Sequence, residues 1–143
     1  MKKYLILAIM VLTLLVPTAV MAADVVVLDT TVVAQVVSFE ITPSYVNFGA
    51  VIVGVYSEVR TFTVHNSGNV NITIAASTAS DFYYNRMEIS VDGVSYMPVS
   101  SFSAFPIAVE GTPTIYVRVK PMSGDTIGLN NGSLTFIATP VTP

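Results

Sequence analysis

The sequence predicts an all-β protein, an antiparallel β-sandwich of about seven to eight strands with a long strand at its N-terminus. Three observations lead there. Short runs of alternating apolar and polar residues recur between clusters of Gly, Pro, Asn, Asp and Ser, the pattern of strands joined by turns. Beyond the first apolar stretch, nothing repeats with the helical period. Finally, Asp24 to Ser38 reads D-V-V-V-L-D-T-T-V-V-A-Q-V-V-S, almost entirely β-branched, with neither glycine nor proline.

The first element is a leader. Met1-Lys2-Lys3, an apolar run from Tyr4 to Val16, and small residues from Thr18 to Ala23 form the three regions of a secretory signal peptide over residues 1–22. Pro17 stops the apolar run short of the roughly 18–20 residues needed to span a bilayer. Strand rather than helix follows, which argues against both a retained anchor and a pilin-type leader cut ahead of a helical core. The expected mature chain starts at Ala23 or Asp24, is secreted to the cell surface or beyond, and keeps no membrane attachment.

Residues 23–38 come next. At about 3.3 Å per residue this strand spans roughly 45 Å, too long for one small domain, whose strands run about 3–10 residues. One face carries Val26, Leu28, Thr30, Val32, Ala34 and Val36, small and mostly apolar; the other mixes Val25, Val27 and Val33 with Asp29, Thr31 and Gln35. Such a strand needs a groove to fill, in its own domain or in a neighbouring copy.

Residues 39–143 supply the sandwich. Val46 and Phe48 share one face of a strand that ends at Gly49, and Gly54 to Ser57 make a connection. Arg60, Phe62 and Val64 oppose Val59, Thr61 and Thr63, and Asn66-Ser67-Gly68-Asn69 offers residues that tolerate left-handed backbone for a turn. Val70, Ile72 and Ile74 then face inward, with Asn71 and Thr73 outward. Ala75 to Asn85 has no clear period and reads as a loop or irregular crossing. Met87 to Val91 alternates, and Asp92-Gly93 signals a two-residue hairpin into Val94-Ser95-Tyr96. Pro98 to Pro113, with its prolines and serines, reads as an edge segment or long loop. Thr114 to Lys120 puts Ile115, Val117 and Val119 inward; Pro121 to Gly132 carries turn residues; Ser133 to Ala138 closes the domain with Leu134 and Phe136 inward. Phe48, Phe62, Val64, Ile72, Val117 and Phe136 are the expected core.

The order P-S-Y-V-N-F-G-A-V-I-V-G (Pro43 to Gly54), then R-T-F-T-V-H-N-S-G (Arg60 to Gly68) and N-I-T-I, resembles the immunoglobulin-like domains of the Hydin and major sperm protein group. V-R-V-K-P (Val117 to Pro121) and G-L-N-N-G-S-L-T-F (Gly128 to Phe136) are similar to that family's closing hairpin. The resemblance implies an immunoglobulin-like sandwich with a binding or scaffolding role. The layout of leader, long apolar strand and one sandwich also resembles exported fibre subunits: archaeal threads and bundling pili, and TasA-type matrix fibres. That likeness implies assembly by donor-strand complementation, in which one copy's strand completes the next copy's sheet.

Composition bounds the rest. Without Lys2 and Lys3 the basic residues are Arg60, Arg86, Arg118 and Lys120, against nine acids, so the mature chain is acidic and unsuited to nucleic acid. There is no cysteine, so packing, oligomerisation or sugar must hold an exported domain together. Charged residues make up 10% of the chain and apolar residues 52%, which suggests a surface that meets copies of itself.

No catalytic, cofactor-binding or metal-ligating constellation is written in the chain, so no enzyme is expected. His65, the sole histidine, reads as a strand-end residue bonded to a turn, because triads and zinc sites need partners that are missing. Asp125 with Asn130 and Asn131 falls short of the six to eight oxygens that calcium takes. Phe82-Tyr83-Tyr84 reads as core or interface rather than a sugar-stacking platform. Asn71-Ile72-Thr73 and Asn131-Gly132-Ser133 are sequons, which makes Asn71 and Asn131 glycosylation candidates in an exported chain. The expected function is a structural filament subunit that polymerises with identical copies and meets other filaments or cell-surface glycans. The alternative is a secreted, monomeric immunoglobulin-like adhesion or carbohydrate-binding module.

Overall fold

The structure, a computed structural model, describes residues 30–141. The expected signal peptide and residues 23–29, with Val26 and Leu28, lie outside the described residues. From Val33 onward the chain forms one compact unit. Alternation and turn residues cut it into β1 (Phe39–Thr42), β2 (Arg60–Asn66), β3 (Ile72–Thr78), a short helix α1 (Asp81–Arg86), β4 (Met87–Ser90), β5 (Met97–Pro98), β6 (Phe105–Ile107), β7 (Thr114–Val119) and β8 (Leu134–Pro140). Two antiparallel sheets result: five strands in the order β1-β2-β7-β4-β5, and three in the order β6-β3-β8. The chain is an all-β sandwich, as its sequence predicts.

The core follows from period-two alternation. Ile115, Val117 and Val119 on β7, Phe62 and Val64 on β2, Ile72 and Ile74 on β3, and Met87 and Ile89 on β4 are buried together. Phe48 and Phe136, also expected in the core, are half-buried against it. At one end of the sandwich Asn66 is fully buried. Its amide donates to the carbonyls of Val70 (2.9 Å), Ala108 (3.1 Å) and Ile107 (3.3 Å), and its Oδ1 accepts the Gly68 N–H (3.1 Å). One side chain thereby ties the β2–β3 turn to the connection that follows β6.

Several expected elements take another form. Thr30 to Ser38 contains no strand, because a strand is defined by a ladder partner and β-branched composition does not supply one. Backbone groups of Ala34, Val36 and Ser38 bond instead to the β2–β3 turn: Asn69 N–H to Val36 O, and the Ser67 and Gly68 N–H groups to Ser38 O, all at 3.1 Å. That turn does not use left-handed backbone. Gly68 is required there for closeness, since a Cβ would collide with Val36 O and the Ser38 nitrogen.

Tyr45 to Phe48 is no strand either. Pro43 offers no N–H, Asn47 Oδ1 accepts the Gly49 N–H at 2.8 Å, and Gly49 adopts φ 70°, so the backbone curls instead of pairing. Strand β3 runs on to Thr78, and the supposed crossing after it is helical. The hairpin at Asp92-Gly93 exists, but its loop runs from Val91 to Tyr96. The Asp92 carboxylate accepts the N–H groups of Ser95 (2.7 Å) and Val94 (2.8 Å) and the Ser90 hydroxyl (2.7 Å), which delays the return strand to Met97. Those donors, Ser95 foremost, hold its carboxyl well below the usual carboxylate range. Pro98 to Pro113 contributes β5 and β6, each at a sheet edge.

Candidate functional site

Five strands face three, and the mismatch opens one side of the sandwich. Phe136 of β8 meets Phe62 of β2 with ring centroids 5.4 Å apart. Ile41 of β1, the next strand out, therefore looks into a groove of about 540 Å³ that it lines together with Phe62, Val117, Val119, Leu134 and Phe136.

One wall of the groove is the edge of β8. Adjacent antiparallel residues direct their N–H and C=O groups to opposite sides. The Val141 N–H bonds to Asn71 O at 2.9 Å, so every second residue back along β8 faces β3. Leu134, Phe136 and Ala138 point their amides the other way, toward the groove side, where β8 has no neighbouring strand among the described residues. Pro140, opposite Ile72, falls at a position where β3 needs no N–H.

Two loops form the lips. The segment from Gly49 to Val59 is pinned by Gly54 N–H to Pro121 O (2.7 Å) and Ser57 N–H to Val119 O (2.8 Å). Tyr56 further anchors it on the outer face, its ring 3.9 Å from the Arg118 guanidinium, which lies on its other side 4.0 Å from Tyr96. The segment from Pro121 to Ser133 is held by α1. Ser80 caps that helix, its Oγ accepting the Tyr83 N–H at 3.4 Å, and at the other end Arg86 grips Asp125 through Nε–Oδ2 (2.8 Å) and Nη2–Oδ1 (2.9 Å). Arg86 first, then the Met122 N–H, lower the Asp125 pKa. Tyr83 donates its hydroxyl to Asn130 O (2.9 Å), and its ring leaves no room for a Cβ at Gly132. The lips carry Val53, Ile127 and Leu129, which are 49%, 95% and 88% exposed, and Tyr45, ahead of the first lip, is 75% exposed beside them. Among the described residues lining the groove Asp125 alone is charged, and Arg86 neutralises it. The groove has an apolar floor and a more polar rim, and both β8 and β1 end their sheets beside it among the described residues, a form that can receive an extended segment.

Of the expected filling face, Val32 is exposed, Thr30 is exposed, and Ala34 and Val36 lie at the β2–β3 turn. Asn71 and Asn131 are both exposed; Asn71 Oδ1 accepts the Val109 N–H (3.0 Å), and Asn131 stands beside the groove. His65 bonds to Thr112 Oγ1 (3.0 Å) and lies 3.8 Å from Glu110. Asp125 is consumed by Arg86, and Asn130 turns its amide to Thr126 O (3.2 Å), so the two do not converge on an ion. Phe82 and Tyr83 line the groove, with Tyr83 against Phe48 at 6.2 Å, while Tyr84 is exposed. The part sequence reasoning missed is α1 and its Arg86–Asp125 clamp. Ser80-Asp81 ahead of residues free of Gly and Pro was the available signal. No protein-family model matches this chain, and no curated protein is significantly similar to it.

Proposed function

We propose that this protein is a non-enzymatic subunit of an extracellular filament, assembled by donor-strand complementation. The N-terminal segment of one copy, presenting Val26, Leu28, Thr30 and Val32 with Ala34 and Val36 behind them, lies in the groove of the next copy and adds a strand beside β8. Backbone bonds to the outward amides of Leu134, Phe136 and Ala138 give affinity, and alternate side chains against Phe62, Val117 and Phe136 give register. A segment that fills a different surface on the next copy makes a heterologous contact that does not close, so the assembly grows as a fibre. The leader, the immunoglobulin-like pattern and the scarcity of charge fit this reading, with Asn71 and Asn131 as glycosylation sites.

The groove beside the edge of β8, which has no neighbouring strand among the described residues, carries the proposal. Electron microscopy and light scattering of the mature chain over a range of concentrations test it. Regular fibres are expected. A protein that stays monomeric at high concentration, even when seeded, overturns the filament and leaves the secreted adhesion or carbohydrate-binding module.

A further inference from the structure

Asn69 treats Ala34 to Val36 as a strand would. Its Oδ1 accepts the Val36 N–H at 2.7 Å, its Nδ2 donates to Ala34 O at 2.9 Å, and its own N–H donates to Val36 O at 3.1 Å. Two residues on, Ser38 is held as firmly: its carbonyl accepts the Ser67 and Gly68 N–H groups, and its hydroxyl lies 3.0 Å from the Ser67 hydroxyl. The absence of a side chain at Gly68 lets the segment lie flush on the turn. Neither apolar burial nor charge explains this contact, since Val36 is 51% and Val37 40% exposed. It is backbone recognition by a turn.

We infer that Asn69 is a positioning residue for assembly: it fastens Ala34 to Ser38 to their own domain, so the segment free to enter a neighbour ends at Val33. The inference rests on the filament reading and sharpens it. An amide side chain that offers one donor and one acceptor matches an extended backbone whatever its side chains are, and it fixes the point and direction of departure. From Asp24 to Val33 the free length is roughly 33 Å at about 3.3 Å per residue, more than the roughly 23 Å of seven-residue β8, so the shortened segment still covers the whole edge. Ala34 and Val36 then serve the clamp, and the contacts that fill the groove come from residues up to Val33. Holding the departure point also removes freedom that docking would otherwise have to freeze out.

The test separates giving a strand from receiving one, using full mature chains. Ala138→Pro removes an outward amide of β8 while leaving the β3 ladder intact, giving a chain that donates only. Val32→Asp gives one that accepts only. The Ala138→Pro and Val32→Asp chains, both with Asn69 intact, should form a one-to-one complex in light scattering. Asn69→Ala in the donating chain should weaken that complex about tenfold, the cost of ordering on docking about one residue of backbone that the clamp otherwise holds; in the accepting chain it should change nothing. Hydrogen exchange at the Val36 amide should accelerate in the same variant. If Asn69→Ala leaves donation intact, or harms both chains alike, the positioning role is overturned while the filament stands. If the pair with Asn69 intact forms no complex, the filament reading falls, and the inference falls with it.

Discussion

Phe62 and Phe136 pack edge to face across the two sheets, 5.4 Å between centroids and 66° between planes, and mark the line where the closed core ends and the groove begins. Phe62 is 5% exposed, so Phe62→Ala should cost about 3–5 kcal/mol and abolish cooperative melting in a chain of this size. Calorimetry showing an unchanged transition would mean that the inward face of β2 is assigned wrongly.

Val32 is 91% exposed, so Val32→Asp should leave the melting temperature of the isolated subunit within a degree or two of the parent, by the usual mildness of surface changes. It should nevertheless abolish fibre growth, because a carboxylate on the filling face would be buried without a partner. Gln35→Asp should be mild by comparison. Growth of Val32→Asp at the parental rate, followed by turbidity, would remove Val32 from the interface.

Asn66 should be costly to replace. Asn66→Ala strips the donor from three carbonyls at once, of which only the Ile107 contact is fully buried, and a buried group left unpaired costs about 1–3 kcal/mol. A loss of several degrees in melting temperature is expected, and Asn66→Asp should not rescue it, because a carboxylate brings no N–H. Rescue by aspartate would show that only the Gly68 contact matters.

Acid should loosen one lip of the groove. The folded-state pKa of Asp125 is depressed by Arg86, so its stabilisation is complete above the ordinary carboxylate pKa of about 3.9 and is lost as the pH falls below that value. Thermal stability of the parent should therefore drop between about pH 4 and pH 2 more steeply than that of Asp125→Asn, which has already lost the pair. Parallel curves for the two would mean that the clamp does not hold the loop in solution.

How far the sequence can be read depends on what kind of information each element needs. Strand β7 was legible to within one residue of its end, because Ile115, Val117 and Val119 alternate with polar neighbours and burial on one face is written directly in that period. Tyr45 to Phe48 alternates just as cleanly, yet Pro43 and the Asn47–Gly49 turn deny it a ladder; periodicity reports a buried face and does not guarantee a partner. The same limit applies to Thr30 to Ser38. Of the candidate site, the apolar residues could be named in advance, but not the groove, since it arises from five strands facing three, a property of topology. The amide of Asn69 and the burial of Asn66 were equally hidden. Two asparagines three positions apart in one turn look alike as text, and only the fold makes one a core hub and the other a surface clamp.

The bonds that hold Ser38 and Val36 lie directly ahead of β1, whose backbone is laced to β2 at Glu40–His65 and Thr42–Thr63. A pull on the chain from the N-terminal side, aligned with β1, would load the turn contacts and this ladder together, in shear. They would yield as a group instead of opening one after another, which slows rupture under force even where equilibrium stability is ordinary. The short loop-to-strand junction is thus placed where a fibre under tension would bear its load, and it does so with hydrogen bonds alone in a chain that has no cysteine to cross-link it.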